Sequence, residues 1–291
     1  MKNSKILTDS TKKIFILTAI HNDLPGTIKL LESIYEQTLK NYEVMIVDDG
    51  STDGTSDYIR KNYPDVKITN GNGGLWWTAS LNLGLSQILT KAGKDDFVWI
   101  VNNDCYFDQD LLQNLINFQR KLKSNKCIIG TIVLDSKTND VWDSGVMVDW
   151  AKLKFSRSTS TKKIDALSTK GTLYPVDIFR KVGYFDEKHF PHYFSDYEFS
   201  IRAKRMGYDL LISPDCKIYN EVARTGIEKV ERGLGIAGTF QTLFSRKSKV
   251  NIADNFNIIR FVCPPEYRLR NYFMLFLKVV YLGTFFLRRK K

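Results

Sequence analysis

The chain has 291 residues, 43% of them hydrophobic and 26% charged, with a net charge of +11. This balance fits a soluble globular protein large enough for one sizeable core or two, and no segment is long and apolar enough to read as a membrane span. The start, "MKNSKILTDSTKK", is basic, but no apolar run of signal-peptide type follows it, so no secretory leader is expected.

The predicted elements alternate. "KIFILTAI" (13–20) is a short apolar, β-branched run, expected as a buried strand, and "TIKLLESIYEQT" (27–38) has helical spacing. "YEVMIVDD" (42–49) and "TSDYIRKNY" (55–63) repeat the pair, as do "VKIT" (66–69) and "LWWTASLNLGLSQILTKAG" (75–93), then "DFVWIVNND" (96–104) and "DLLQNLINFQRKLKS" (110–124). Such alternation predicts βαβ units and a mostly parallel sheet with helices on both faces. Past residue 128 the pattern changes. "CIIGTIVL" (127–134) and "VWDSGVMV" (141–148) predict strands of a mixed or antiparallel region. Residues 151–170 carry seven Ser/Thr and six Lys/Arg without periodicity and predict a long basic loop of the kind used as a lid.

In an open α/β sheet, ligands bind at the carboxyl ends of the strands. Here those ends are "TAIHND", "DDGSTDG", "NGNGG" and "NNDCYFD", all polar and rich in Gly, Asp and Asn. A carboxylate in "IVDDGSTDGT" (46–55) could accept the imide N–H of uracil or thymine; by itself the stretch also suits plain turn formation by Asp48, Asp49 and Asp53. "NGNGGLWW" (70–77) enters a helix like a phosphate-cradling loop but lacks both the GxGxxG and the GK[ST] patterns. Gly73 and Gly74 permit close backbone approach, and Trp76 and Trp77 can stack on a sugar or line a core. Asp104 ends its strand beside Asn102 and Asn103, where one carboxylate plus substrate phosphates would suit Mg²⁺ or Mn²⁺. In "PHYFSDYEFSIRAKRMGY" (191–208), Glu198 and Arg202 stand four apart on a helix expected from about Tyr197, with Asp196 just before it, either as a helix cap or as a proton acceptor.

Taken in order, "VDDGSTDGT", "GNGGLWWTASLNLGL", "NNDC" and "KGTLYPVDIFRKVGYFDEKHFPHYFSDYEFSIRAKRMGY" resemble family 2 glycosyltransferases, inverting sugar transferases with a GT-A fold, over about residues 13–226. The likeness is greatest to bacterial, rhamnosyltransferase-like enzymes that build surface polysaccharides. It implies a Rossmann-like, mostly parallel α/β sheet over 1–225, with a nucleotide-binding half at about 13–127 and an acceptor half at about 128–225. It also implies transfer of a sugar from a UDP or dTDP donor to a glycan or lipid-linked saccharide. Residue by residue, Thr18 and Asp49 match positions that hold the nucleobase, and Asn72 the ribose and diphosphate, with Gly73, Trp76 and Asn103 on the same donor side. Asp104 matches the metal-binding aspartate and Asp196 the catalytic base. Glu198 and Arg202 follow as support, with Ser195 and His192 on the acceptor side. Three positions depart from the family pattern: Ser195 replaces an acid, Lys170 stands where Arg is common, and Asn220 stands where relatives carry a metal-assisting His.

Residues 226–291 form a basic, partly helical extension. Residues 260–291 hold eight Lys/Arg against a single acid, Glu266, a net +7 around the aromatic body of "RNYFMLFLKVVYLGTFFLRRKK". An interfacial helix on an anionic membrane is expected, and a terminal helix packed on the domain is the alternative. Cys105, Cys127, Cys216 and Cys263 form no CxxC, and His21, His189 and His192 no HxxxH, so scattered thiols in a reducing cytoplasm are expected. Nucleic acid would account for the charge but not for the strand-end carboxylates. A sugar nucleotidyltransferase would need a glycine-rich signature with a following lysine after Ile20, which is missing. A non-catalytic binding protein on the same fold would account for Ser195 and Asn220.

Overall fold

The computed structural model describes residues 12–221, 235–248 and 250–287. Strands β1 (Ile14–Ile20), β2 (Tyr42–Asp48), β3 (Lys67–Asn70) and β4 (Phe97–Ile100) lie parallel in the order β3-β2-β1-β4. Between them run α1 (Leu24–Tyr35), α2 (Thr55–Asn62) and α3 (Trp76–Lys91), which is the expected alternation. β1 and β4 are buried along their whole length, as strands covered on both faces must be. Ile14, Ile16 and Ile20 of β1 share a core with α1 and with α4 (Leu111–Leu122), while Phe15 and Leu17 share the opposite core with α3.

The sheet then turns mixed, as the sequence suggests. β10 (Thr172–Pro175) runs antiparallel between β4 and β6 (Cys127–Asp135). β11 (Asp209–Asn220) lies parallel to β6 and antiparallel to β5 (Cys105–Phe107), and β7 (Val141–Asp143) pairs with β6.

Two expectations are corrected. Segment 151–170 is no free loop: β9 (Lys154–Arg157) forms an antiparallel hairpin with β8 (Val146–Asp149), and Ile164, Ala166 and Leu167 are buried. Those anchors are too sparse among Ser and Lys to make a period, which is why the sequence conceals them. Helix α6 (Ser195–Arg205) starts two residues earlier than expected. Its cap is Phe194, at φ +67 and without a side-chain cap bond, so Asp196 sits in the first turn and is not the cap.

α6 is held firmly. The Phe199 ring lies 4.5 Å from Phe185 and 5.4 Å from Phe179, the last residue but two of α5 (Val176–Lys181). Each such aromatic pair adds about 0.5–1.5 kcal/mol beyond its buried area. Arg202 grips both oxygens of Glu198 at 2.7 and 2.9 Å and donates onward to the carbonyls of Val182 and Tyr184.

The extension contains α7 (Gly235–Phe244), α8 (Ile252–Asn257), a π-helical turn (Ile258–Val262) and α9 (Pro265–Leu287). Ile258 and Val262 pack with Phe190 and Ile201, and Asn257 Nδ2 donates to the His189 carbonyl at 2.8 Å. Fully buried Asn271 donates to the Trp150 carbonyl at 2.8 Å, so the first turns of α9 are fastened to the domain. Beyond them Phe273, Phe276 and Tyr281 are 59, 61 and 65% exposed. Among the described residues, no helix is long and apolar enough to cross a membrane. The boundary at 225/226 and the basic tip 288–291 lie outside the described residues.

Candidate active site

Two adjoining hollows of 480 and 410 Å³ open at the carboxyl ends of the parallel strands and share Trp77, His192 and Tyr193 as a common wall. Both fall in the size range of small-molecule sites.

The first hollow is built around Asp49. Its Oδ1 accepts from Gly73 N–H at 2.8 Å and its Oδ2 from Trp76 N–H at 3.0 Å, so one carboxylate folds the glycine loop over the end of β2. The fit explains two glycines. A Cβ on Gly50 (φ +76) would lie 2.9 Å from Gly73 Cα, and one on Gly71 would lie 2.6 Å from Asp49 Oδ1. Asp48 and Asp53 are turn formers, accepting from Ser51 N–H at 2.8 Å and Thr55 N–H at 3.1 Å. Trp76 holds φ +61, a strained state for an aromatic residue that costs on the order of 1–3 kcal/mol. That backbone sets its ring edge-on to His192, 5.6 Å between centroids. Asn103 lines this hollow and donates to Asp23 at 2.8 Å; Asn72 is exposed and folds back onto Gly74 N–H at 2.9 Å. Thr18 is fully buried inside β1, and it is Ala19, Ile20 and His21 that reach the hollow.

The second hollow holds Asp196, with Asp104, Asp143, Lys170, Trp142, Phe155 and Tyr197 around it. Burial pushes the Asp196 carboxyl up to about 6; neighbouring Asp143 adds to the rise, while the backbone N–H groups of Tyr197 and Thr169 oppose it. A group poised there is ionised at neutral pH yet basic enough to take a proton. Phe155 stacks on Tyr197 at 5.7 Å, which makes the wall aromatic. His192 is driven down to about 4 by burial and then by Lys247, so it is a neutral imidazole at physiological pH. α3 and the approach to α6 are joined where Thr78 donates to the carbonyls of Pro191 at 3.1 Å and Phe190 at 2.7 Å.

The sequence profile of glycosyl transferase family 2 matches residues 15–183. The chain belongs to glycosyl transferase family 2. An uncharacterized glycosyltransferase of Rickettsia prowazekii is 26% identical over 178 residues, 60% of this chain and 54% of the relative. The chain thus spans about half the length of that relative. Among solved structures, GalNAc-T7 with UDP, GalNAc and Mn²⁺ superposes with a TM-score of 0.59 at 15% identity, covering 72% of this chain and 44% of that one. The mannosyltransferase of Pyrobaculum calidifontis with GDP-Man and Mn²⁺ gives 0.57 at 18% identity over 92% and 71%. The family 2 chain therefore has the GT-A fold.

A divalent cation fits the residues at the end of β4. Asp104 offers a carboxylate to the second hollow, and the Oδ1 of Asn102, buried and without a partner, lines the same space. These are hard oxygen donors, and the described residues contain no group of three His, Cys, Asp or Glu that would complete a cage, so substrate phosphates would supply the rest. Of the other expected residues, Ser195 is buried with an unpartnered Oγ, and Glu198 with Arg202 forms a brace; none of the three lines either hollow. Sequence reasoning missed His21, whose Nδ1–H donates to the Asp49 carbonyl at 2.7 Å, and Asp143 and Lys247. Arg246, its guanidinium 5.5 Å above the Trp76 ring, brings the extension to the first hollow.

Proposed function

We propose that the protein moves a sugar from a nucleoside-diphosphate donor, UDP- or dTDP-linked, to a hydroxyl of a glycan or lipid-linked saccharide, with inversion at the anomeric carbon. The observation that carries this is a half-buried Asp196, its carboxyl pushed up to about 6, facing a hollow that adjoins the strand-end loop organised by Asp49. The nucleotide sits in the first hollow, its base imide accepted by the second lone pairs of the Asp49 oxygens. The sugar lies at the shared wall of Trp77, His192 and Tyr193. The acceptor stacks on Phe155 and Tyr197, an aromatic surface suited to sugar C–H faces. Asp196 takes the hydroxyl proton as the acceptor oxygen forms its bond to the anomeric carbon and the bond to the diphosphate breaks, a contribution of about 10²–10⁴-fold. A cation held by Asp104 and Asn102 would neutralise charge on the diphosphate.

The exposed stripe of α9, Leu269, Phe273, Phe276 and Val280, follows helical spacing, and Arg268, Arg270 and Lys278 flank it. Its charge complements an anionic lipid surface, and we place it on the cytoplasmic leaflet, where a lipid-linked acceptor would be met. A thermal-shift panel of UDP, dTDP and GDP with and without Mn²⁺ tests the donor reading: a UDP- or dTDP-specific rise in Tm is expected, and no response to any of them would reject it.

A further inference from the structure

Lys170 is an ammonium inside the second hollow whose hydrogen bond goes to a neutral group. Its Nζ donates to Asn220 Oδ1 at 2.9 Å, and no carboxylate pairs with it among the described residues. One bond leaves two of the three ammonium N–H groups uncommitted. The tether is built: Asn220 is fully buried, and its Nδ2 donates to the Asp104 carbonyl at 3.3 Å, so one amide links Lys170 to the strand end that carries the cation-binding carboxylate. The backbone is fixed as well. Thr131 Oγ1 donates to the Lys170 carbonyl at 3.2 Å, and Gly171 follows at φ +71, where a Cβ would meet Thr131 Oγ1 at 2.7 Å. The preceding residue, Thr169, gives its N–H to Asp196.

We propose that Lys170 is the chain's own cation for the departing diphosphate, held in position by Asn220. This rests on the sugar-transfer reading above. As the acceptor oxygen bonds to the anomeric carbon, the carbon–phosphate oxygen bond breaks and its electron pair stays on the diphosphate. The acceptor proton goes to Asp196, and Lys170 N–H groups donate to the oxygens that gain charge. A fixed donor of this kind needs no reorganisation during reaction.

The test compares UDP with uridine as ligands of wild type, Lys170→Gln, Lys170→Arg and Asn220→Ala, by calorimetry, each in Mn²⁺ and in EDTA. Lys170→Gln is expected to weaken UDP by about 10- to 100-fold in both conditions, leave uridine unchanged, and lower kcat more than it raises KM. Lys170→Arg should retain most of the affinity, and Asn220→Ala should show a smaller loss of the same kind. Unchanged UDP affinity in a folded Lys170→Gln protein would overturn the proposal, as would a loss confined to the Mn²⁺ arm or a loss shared equally by uridine. If Lys170→Gln does not fold, Asn220→Ala decides on the same criteria. Wild type indifferent to both UDP and uridine would instead sink the donor reading, and this proposal with it.

Discussion

Asp196→Asn should produce a protein that is less active and more stable. Its carboxyl, ordinarily near 3.8, is pushed up to about 6 by burial and by Asp143. The folded state therefore holds its proton more tightly than the unfolded chain does. Between pH 4 and 6 the native protein carries the extra proton, so stability falls as pH rises through that window and stays lowered above it. A rise of about two pH units corresponds to about 3 kcal/mol. Asparagine removes the half-buried, poorly solvated charge but turns an N–H₂ toward one of the two backbone donors, Tyr197 or Thr169, which costs about 1 kcal/mol. The net gain at pH 8 is about 2 kcal/mol, or roughly 3 °C in Tm for a chain of 291 residues. At pH 4, where the folded carboxyl is protonated and neutral, the gain is lost and only the cost of about 1 kcal/mol remains, so the variant should be slightly less stable than wild type there. Transfer should drop by about 10² or more, and the acidic limb of kcat, which in wild type rises through about pH 6 as the base ionises, should disappear. Differential scanning calorimetry at pH 4 and 8, with initial rates across pH 5–8, measures all of this. A variant less stable than wild type at pH 8, or one within a fewfold of its activity, would show that Asp196 is a structural residue of the first turn of α6.

Asp104→Ala should weaken binding of UDP-sugar, and EDTA should do the same to wild type; indifference to both would remove the cation from the site. Asp49→Ala deletes the acceptor of two loop N–H groups, so it should cost about 2 kcal/mol or more of stability along with donor affinity, and a loss of affinity without any fall in Tm would show that the loop folds without it. Truncation after Tyr272 keeps buried Asn271 and its bond to Trp150. It should leave Tm and nucleotide binding intact while abolishing salt-sensitive sedimentation with anionic vesicles, and vesicle binding that survives the cut would place the membrane contact elsewhere.

The half that builds the first hollow was legible because each of its parts is local. An apolar run followed by Asp, Asn and Gly predicts a buried parallel strand and a polar strand end, and residues such as Asp49, Gly73 and Asn103 need only their own strand to arrive in the hollow. What remained hidden even there was the division of labour. Three aspartates in ten residues look alike in sequence, and only the loop packed on Asp49 separates it from the turn formers Asp48 and Asp53. Thr18, which the family resemblance matches to a base-holding position, is fully buried, because alternation along β1 puts its side chain on the same inward face as Ile16 and Ile20.

The half that builds the second hollow is long-range, and that is why so little of it could be read. Asp143 ends β7, Phe155 sits on β9, Thr169 and Lys170 lead into β10, and Tyr197 lies on α6; no periodicity relates them. They converge because β10 enters the sheet antiparallel between β4 and β6, which carries its leading residues back to the carboxyl end of the parallel strands. That one reversal delivers the Thr169 N–H to Asp196 and the Lys170 ammonium to Asn220 in successive residues. The proposed base and the proposed cation for the diphosphate are thus tied to adjacent peptide units. A shift of β10 by one residue would displace both together, so substitutions that disturb its register, such as a bulkier residue at Gly171, should lower kcat while sparing the first hollow, built at the ends of β1 and β2.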